Sequence, residues 1–252
     1  MEDFDIIVGI HSILKAIKND LRPKGKIYAT EDGYNKIKNE LTLKEKELLD
    51  VEFLDKHKLQ ERAQKFIEGQ GFKYQRVPSQ VFYQVEKMPF TAIDEVHNAI
   101  KNPNKRPKIF CLDQVTDVHN AAAILRTMSF YDMDYLIISN RGNFGFSPSF
   151  YRIASGAVED IKVVNVKSLT KALTKLKERG TFIVGFSEHV KAEVERPSDA
   201  PLCLVLGSED EGLSNAVWRT CDEVVSLKAK GAIKSLNVSI AAAVIMEKFF
   251  GE

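Results

Sequence analysis

The sequence predicts an α/β protein built from two domains. In its C-terminal part, apolar and β-branched strand patterns alternate with helical patterns, which is typical of a parallel sheet covered on both faces. The N-terminal part is more highly charged, and a segment with Pro103 and Pro107 separates the two regions. We therefore expect a smaller α/β domain at 1–97, a linker at 98–107 and a parallel-sheet domain at 108–252.

The composition is that of a globular protein. The chain has 252 residues, of which 44% are hydrophobic and 28% charged, enough to bury a full core. Its net charge of +1 provides no general positive field, so any nucleic acid must be bound by local basic patches. No apolar run approaches the ~18–20 residues of a membrane-spanning helix, and the acidic start lacks the order of a secretory signal. We expect a cytoplasmic protein with no membrane partner.

The cysteines are consistent with this interpretation. Cys111 and Cys203 lie within apolar strand patterns, and neither they nor Cys221 have the spacing of metal ligands. They are interpreted as small hydrophobic residues in a reducing compartment, and no metal site is expected. No glycine-rich dinucleotide motif follows the first strand of the second domain, and the sequence contains no P-loop motif. Both kinds of nucleotide site are therefore disfavoured.

Local patterns in the N-terminal region predict a small α/β module. Short apolar runs predict strands, and the mixed Glu/Lys segment predicts helices with solvated faces. In chain order we expect a strand at 6–10, a helix at 11–19, a strand at 26–30, helices within 31–68, a strand at 72–77, a short helix at 78–85 and a strand at 90–93.

In the C-terminal region, strands and helices are predicted in regular alternation. The strands are expected at 109–112, 135–139, 161–164, 181–186, 202–206 and 223–227. The helices are expected from 121, around 149–155, at 169–179, from 214, and at the C-terminus through 250.

Three separated segments place polar residues at strand ends and helix starts. The first predicts a strand, a polar turn and a helix over 112–127; the second, a buried strand ending at 206; the third, a closing helix preceded by cap residue types. Taken singly, each has an ordinary explanation as a helix cap, a favourable charge near a helix N-terminus or a surface side chain. The residues concerned are Asn120, Arg126, Glu209, Ser235 and Asn237, with Gly207 at the end of the second strand.

Together, in this order and spacing, the three segments resemble the signature motifs of the SpoU/TrmH family of S-adenosylmethionine-dependent RNA 2′-O-ribose methyltransferases, part of the SPOUT superfamily. The resemblance extends from about residue 109 to the end of the chain. It implies a SPOUT domain with a deep C-terminal trefoil knot, which general rules of chain topology would not suggest. The start Gly9-Ile10-His11-Ser12 resembles the opening of the L30e-like RNA-binding domain at the N-terminus of some members.

The resemblance implies S-adenosyl-L-methionine as the cofactor and assigns residues to its pocket. Gly207 at a strand end, Leu227 after the next strand and Leu236 before the last helix match the family's cofactor positions. Gly231, four positions before Ser235, matches as well. The chain departs from the family in having Leu227-Lys228-Ala229 where Ile-Pro-Met is usual.

The resemblance also implies the catalytic residues, which are Asn120, Arg126, Glu209, Ser235 and Asn237. Arg126 follows Asn120 by six positions, and helical side chains lean towards the N-terminus, so we expect its guanidinium near Asn120, interpreted as a helix cap. Arginine is a poor base, because its pKa is above about 12. We therefore expect Arg126 to hold a substrate phosphate and to stabilise the developing alkoxide rather than to remove a proton.

Four residues are candidates for RNA contact. Lys105 and Arg106 lie in the predicted linker, where the alternative is a solvated charge run. Arg141 precedes, and Phe144 lies within, a glycine-spaced loop that corresponds, by the resemblance, to a region approaching RNA in the family.

The prediction is thus an RNA 2′-O-methyltransferase that acts as a homodimer on RNA. The N-terminal module favours ribosomal RNA, specifically 23S, over transfer RNA, since family members acting on the tRNA D-loop usually lack it. Two alternatives stay open: a tRNA or antibiotic-resistance rRNA methyltransferase of the same family, and a non-catalytic RNA-binding or ribosome-assembly protein that retains the fold.

Overall fold

The computed structural model describes residues 4–102, 104–140, 144–188, 190, 200–233 and 235–251. The chain forms two compact α/β units, one of Met1–Pro89 with Gly145–Asp160 and one of Phe90–Phe144 with Ile161–Glu252. The predicted α/β class with a parallel sheet is confirmed. The trefoil knot remains a prediction.

The first unit contains a mixed four-stranded sheet in the order β1-β4-β2-β3. Strand β4 runs antiparallel to β1 and β2, whereas β3 is parallel to β2. The strands are β1 Phe4–Val8, β2 Lys26–Ala29, β3 Asp50–Phe53 and β4 Val81–Glu86. The helices are α1 Ile10–Lys18, α2 Glu31–Lys38, α3 Leu43–Leu48 and α4 Lys56–Gly69.

Several predictions for the N-terminal region were wrong. Strand β4 occupies most of the predicted helix 78–85. The stretch 31–68 is largely helical, as predicted, and also contains the short strand β3. Residues 72–77 form no strand, because Gln60 binds them instead: its Oε1 accepts hydrogen bonds from Val77 N at 2.9 Å and Tyr74 Oη at 2.6 Å.

Residues 90–92 form no strand, and a helix takes the first four residues of the predicted linker 98–107. Helix α5 spans Ile93–Lys101, with Asp94 and Glu95 in its first turn. Acidic side chains at that end are favoured by the helix dipole. The predicted linker is thereby shortened to the residues that follow Lys101.

The second unit is built around a six-stranded sheet in the order β10-β8-β9-β5-β6-β7, and every neighbouring pair in it is parallel. Its strands are β5 Lys108–Asp113, β6 Tyr135–Ser139, β7 Lys162–Val166, β8 Phe182–Phe186, β9 Leu202–Gly207 and β10 Glu223–Val225. Besides α5, its helices are α6 Val118–Phe130, α8 Leu169–Lys177, α9 Asn215–Thr220 and α10 Val238–Phe250.

Helices cover both faces of this sheet. One face buries Ile109, Cys111 and Cys203 under side chains of α5, α8 and α9. Alternate strand residues point to the other face, where Phe186 packs edge-on against Phe249 of α10. Helices α6 and α10 contact each other.

The order of the strands indicates where a ligand can bind. The chain adds β6 and β7 on one side of β5 and then places β8, β9 and β10 on the other. In open parallel sheets, ligands bind beyond the carboxyl ends of the strands at such a reversal.

Residues 145–160 do not belong to the compact unit that surrounds them in sequence. Helix α7 Pro148–Ala154 and a 3₁₀ turn at 157–159 pack with the first unit. Ser12 Oγ donates to the carbonyl oxygen of Tyr151 at 2.5 Å, and Arg22 Nε donates to Glu159 Oε1 at 2.9 Å. The compact units therefore differ from the predicted division into 1–97 and 108–252.

Within the described part of the chain, no helix is both long and apolar enough to cross a bilayer.

Candidate active site

The carboxylate of Glu209, just after β9, connects its own polar segment to the other two. One oxygen of Glu209, Oε1, accepts three hydrogen bonds: from Asn237 Nδ2 at 2.6 Å, from Asn120 Nδ2 at 3.0 Å and from the backbone N–H of Val238 at 3.1 Å. Asn237 Nδ2 also donates to Asn120 Oδ1 at 3.0 Å. Residues from β9, α6 and α10 are thus brought together as the motifs require.

The orientation of the Asn237 amide is fixed from its other side. Asn237 is the N-cap of α10, and its Oδ1 accepts from the Ser239 backbone N–H at 3.0 Å and from Ser239 Oγ at 2.6 Å. Because the oxygen is engaged there, the NH₂ group must face Glu209 and Asn120. Ser239 was not predicted as part of the site; its position two residues after the cap was the available signal.

Asn120 is not the cap of its helix, contrary to expectation. Asp117 caps α6, and its Oδ1 accepts from the Asn120 backbone N–H at 2.8 Å. This leaves the Asn120 side chain available for Glu209. Asp117 therefore caps the helix, and Asn120, three positions later, binds Glu209.

Arg126 is exposed, and its side chain has no hydrogen bond or ion pair to any described residue. Successive helical residues are rotated by about 100°, so six positions place Arg126 about 120° around α6 from Asn120. Asn120 is bonded to Glu209 and Asn237, and the expectation that the Arg126 guanidinium lies near Asn120 stays a prediction. Arg126 lies on the same side of α6 as Phe130, which is exposed and one turn further along the helix.

A cavity of about 370 Å³ lies at the carboxyl ends of β8 and β9. The loops after β8, β9 and β10 and the start of α10 form its wall. Five predicted site residues line it: Gly207, Glu209, Leu227, Ser235 and Leu236. Glu209 therefore belongs both to the cavity and to the asparagine cluster.

Gly207 is required by the local backbone. A Cβ atom at this position would lie 2.0 Å from the carbonyl carbon and oxygen of Gly212 and 2.4 Å from Leu213 N. The loop closes here through paired backbone hydrogen bonds between Ser208 and Gly212, at 3.0 and 3.1 Å. Gly207 thus serves first to let this loop fold back over the strand end.

Gly231 is not among the residues that line the cavity, and a Cβ there would meet no described atom within 4 Å. Several lining residues were not predicted from the sequence. Ala241 had a signal, since it lies in the alanine run at the start of the closing helix. The lining residues not predicted include Phe186, Ser208, Asp210, Lys228, Lys230, Ile233, Ala241 and Ile245.

The candidate RNA contacts are not gathered at this site. Lys105 and Arg106 are exposed but precede β5, so they lie towards the amino edge of the sheet, opposite the cavity. Phe144 is only 3% exposed, and its ring is buried rather than presented to a ligand. Arg141 lies outside the described residues.

The thiols of Cys111 and Cys221 are not available as nucleophiles. Burial raises the pKa of the Cys221 thiol to about 12 and that of Cys111 well above its usual value, so both stay protonated. Among the described residues, no group of three or more His, Cys, Asp or Glu side chains is arranged to hold a metal ion.

The arrangement suits a reaction at a hydroxyl group. Three donors converge on Glu209 Oε1, while Oε2 accepts no hydrogen bond from the described residues and is available to a ligand hydroxyl. The adjacent cavity combines apolar side chains with the carboxylates of Glu188, Glu209 and Asp210, which favour a cationic ligand.

Residues 107–247 match the model of the family described as the SpoU rRNA Methylase family. A Bacillus subtilis protein named as a member of the TrmH family of tRNA/rRNA methyltransferases, YacO, is 26% identical over 254 residues, covering 99% of this chain and 96% of its own. The 23S rRNA (guanosine-2′-O-)-methyltransferase RlmB of Pseudomonas putida is 32% identical over 184 residues, covering 72% and 71%.

A solved structure shares the fold. The SpoU methyltransferase AviRb from Streptomyces viridochromogenes, determined in complex with the cofactor AdoMet, superposes with a TM-score of 0.74. The match covers 98% of this chain and 89% of AviRb at 21% sequence identity.

Proposed function

The chain belongs to the SpoU rRNA methylase family, as its motifs predict, and from this premise we propose that it methylates the ribose 2′-hydroxyl of ribosomal RNA. It is an RNA methyltransferase, and its cofactor is S-adenosylmethionine. The observation that carries the proposal is the position of Glu209, which lines the cavity and holds Asn120 and Asn237.

The cavity fits this cofactor in size and chemistry. A volume of about 370 Å³ is within the usual range for ligands of this size. The side chains of Leu227, Leu236 and Ile245 offer apolar surface for the adenine of the cofactor. Glu209 and Asp210 offer negative charge for the cofactor's sulfonium and ammonium groups. When bound, S-adenosylmethionine supplies an electrophilic methyl group on a sulfonium.

Glu209 is proposed to orient the ribose. Its Oε2 accepts a hydrogen bond from the 2′-hydroxyl, while Asn120 and Asn237 hold the carboxylate by donating to Oε1. Ser235 at the cavity wall contributes a further hydroxyl. Orientation of the hydroxyl behind the methyl group is the main requirement of an in-line displacement.

Arg126 is proposed to act across a homodimer. It shares the exposed side of α6 with Phe130, which is 81% exposed, and the neighbouring α10 exposes Ile240 and Val244 at 53% and 44%. Apolar residues this exposed on two contacting helices are typical of a subunit interface. In such a dimer, Arg126 is available to RNA held at the partner's site, where it grips a phosphate and stabilises the alkoxide.

The dimer can be tested directly. Ile240→Glu should produce a monomer in sedimentation equilibrium, because a buried unpaired carboxylate is strongly disfavoured at an interface. Lys171→Glu, on the exposed side of α8, is the control and should leave the association state unchanged. A dimeric Ile240→Glu protein would place the interface elsewhere.

Ribosomal RNA is favoured over transfer RNA. The support is the likeness to a 23S rRNA methyltransferase over 72% of the chain, together with the N-terminal region 1–97, proposed to bind RNA. We accordingly propose that the activity is cytoplasmic.

The experiment is methyl transfer to defined RNA. Purified protein is incubated with labelled S-adenosylmethionine and unmodified transcripts of 23S rRNA, 16S rRNA or tRNA, and the product nucleosides are identified by mass spectrometry. A 2′-O-methylated nucleoside in 23S rRNA alone is expected. Methylation of tRNA alone would support the alternative within the family. RNA binding without methylation would support the non-catalytic alternative.

A further inference from the structure

The loop after β10 presents positive charge at the rim of the cofactor cavity. Lys228 and Lys230 both line the cavity and are both exposed. They occupy the segment between β10 and α10, which also supplies Leu227, Ser235 and Leu236 to the wall. Lys230 has no hydrogen bond or ion pair to any residue that the structure describes, so its ammonium is open to a ligand.

The rim is divided by charge. Glu188, Glu209 and Asp210 come from the loops after β8 and β9, whereas the two lysines come from the loop after β10. S-adenosylmethionine carries two cationic groups, a sulfonium and an ammonium, against one carboxylate. The acidic side of the rim therefore complements the cofactor, while the lysine side opposes its net charge.

The lysine side of the rim suits an anionic partner. RNA is a polyanion, and a chain with a net charge of +1 has to attract it through local basic groups. An ammonium on a flexible stem suits a solvent-facing phosphate oxygen, which does not demand a fixed geometry. Because both lysines line the same cavity as Glu209, a phosphate that they contact belongs to RNA near the nucleotide whose ribose is oriented there.

We propose that Lys228 and Lys230 form a phosphate-binding rim that holds the RNA backbone next to the reacting nucleotide. This inference rests on the proposed function and deepens it. The two sides of the opening thereby attract different substrates. The carboxylates attract the cationic cofactor, and the lysines attract the phosphates of the RNA backbone.

The test measures RNA affinity against salt. The variants are Lys230→Gln, Lys228→Gln/Lys230→Gln and Lys230→Arg. The matched control is Lys175→Gln, at an exposed lysine of α8 on the opposite face of the sheet. Filter binding to an unmodified 23S rRNA transcript is followed over a range of KCl concentrations. Calorimetry with S-adenosylmethionine is run on the same proteins without RNA.

Each lost phosphate contact should lower the slope of log affinity against log salt by about 0.7–0.9 and weaken binding about fivefold to eightfold at 0.1 M salt. The double variant should lose about twice the slope, and Lys230→Arg should bind as the wild type does. Cofactor affinity should stay within twofold of wild type in all of them.

Two outcomes would overturn the proposal. One is an RNA affinity and salt slope of the double variant equal to those of Lys175→Gln. The other is a loss of cofactor affinity with RNA binding unchanged, which would assign the lysines to the cofactor's carboxylate. Wild-type protein that binds the cofactor but neither binds nor methylates any RNA would instead refute the proposed function.

Discussion

Two polar clusters in this chain use charge in opposite ways. In the first unit, Arg22 pairs with Asp5 at 3.0 Å and with Glu159 at 2.9 Å, and the three side chains are 0%, 5% and 4% exposed. In the second unit, Glu209 gathers Asn120 and Asn237 at an exposed strand end. The first cluster is closed to solvent and the second is open to it.

The difference separates stability from chemistry. Buried charges cost several kcal/mol each to desolvate and must be paired, so a missing partner is strongly destabilising. Burial raises the pKa of Asp5, and the pairing with Arg22 opposes that shift. The Glu209 cluster incurs no such cost, because water reaches it, and its second oxygen is available to a ligand. Variants in the two clusters should therefore affect different measurements.

The largest effect on stability is expected from Arg22→Met. It leaves Asp5 and Glu159 buried without a cation, which should cost about 3–5 kcal/mol of unfolding free energy. The measurement is a urea titration followed by circular dichroism. Arg62→Met is the matched control: its ion pair with Glu52 is 38% and 29% exposed, so its loss should cost about 1 kcal/mol or less. Equal costs for the two variants would contradict a structural role for the Arg22 cluster.

The largest effect on chemistry is expected from Arg126→Ala. Methylation should fall by at least about 10²-fold, or about 2.7 kcal/mol of barrier, because one preorganised electrostatic group is lost. Unfolding free energy should change little, since Arg126 is exposed. Single-turnover transfer of labelled methyl groups into unmodified rRNA measures the effect.

Two companions sharpen this result. Arg126→Lys should restore little activity, because an ammonium lacks the planar fork of a guanidinium. Arg219→Ala, an exposed arginine on α9, should retain wild-type rates. Near wild-type activity of Arg126→Ala would remove Arg126 from the site and the strongest residue-level link to the family's chemistry.

The fold of the second unit could be predicted from sequence far better than that of the first. Parallel strands buried on both faces are continuous apolar runs, and all six strands of this sheet were predicted close to their observed positions. In the first unit, β4 pairs with β1 and β2, which are distant in sequence. A pairing of that kind leaves only a weak local pattern, and Pro78 beside it suggested a helix.

The site was predictable at the level of residues but less so in its geometry. Glu209, Asn120 and Asn237 come together because their motifs follow neighbouring strands and helices. The surroundings of Arg126 depend on what packs against α6, and the cap of this helix proved to be Asp117 rather than Asn120. The packing of residues 145–160 with the first unit depends on tertiary contacts such as that of Arg22 with Glu159, which no local pattern records.

A smaller effect is expected from Glu209→Gln, which tests why the open cluster contains a charge. The glutamine oxygen can still accept from Asn120, Asn237 and Val238 N, so stability should change by about 1 kcal/mol or less. Hydrogen bonds to a charged acceptor are roughly twice as strong as neutral ones, so methylation should fall about tenfold or more. Cofactor affinity and single-turnover rates from pH 6 to 9 are measured. A uniform loss across that range is expected if Glu209 orients the hydroxyl.

The smallest effect is expected from Asn237→Ser, which separates helix capping from the organisation of Glu209. Serine caps a helix about as well as asparagine, so the unfolding free energy should stay within about 0.5 kcal/mol of wild type. It lacks the amide NH₂ that donates to Glu209 at 2.6 Å and to Asn120 at 3.0 Å, so methylation should fall several-fold. Asn237→Ala should lose the same activity and about 1 kcal/mol of stability in addition, because the cap of α10 is then lost as well. If Asn237→Ser keeps full activity while Asn237→Ala loses it, Asn237 acts only as a cap, and the open cluster reduces to Glu209 and Asn120.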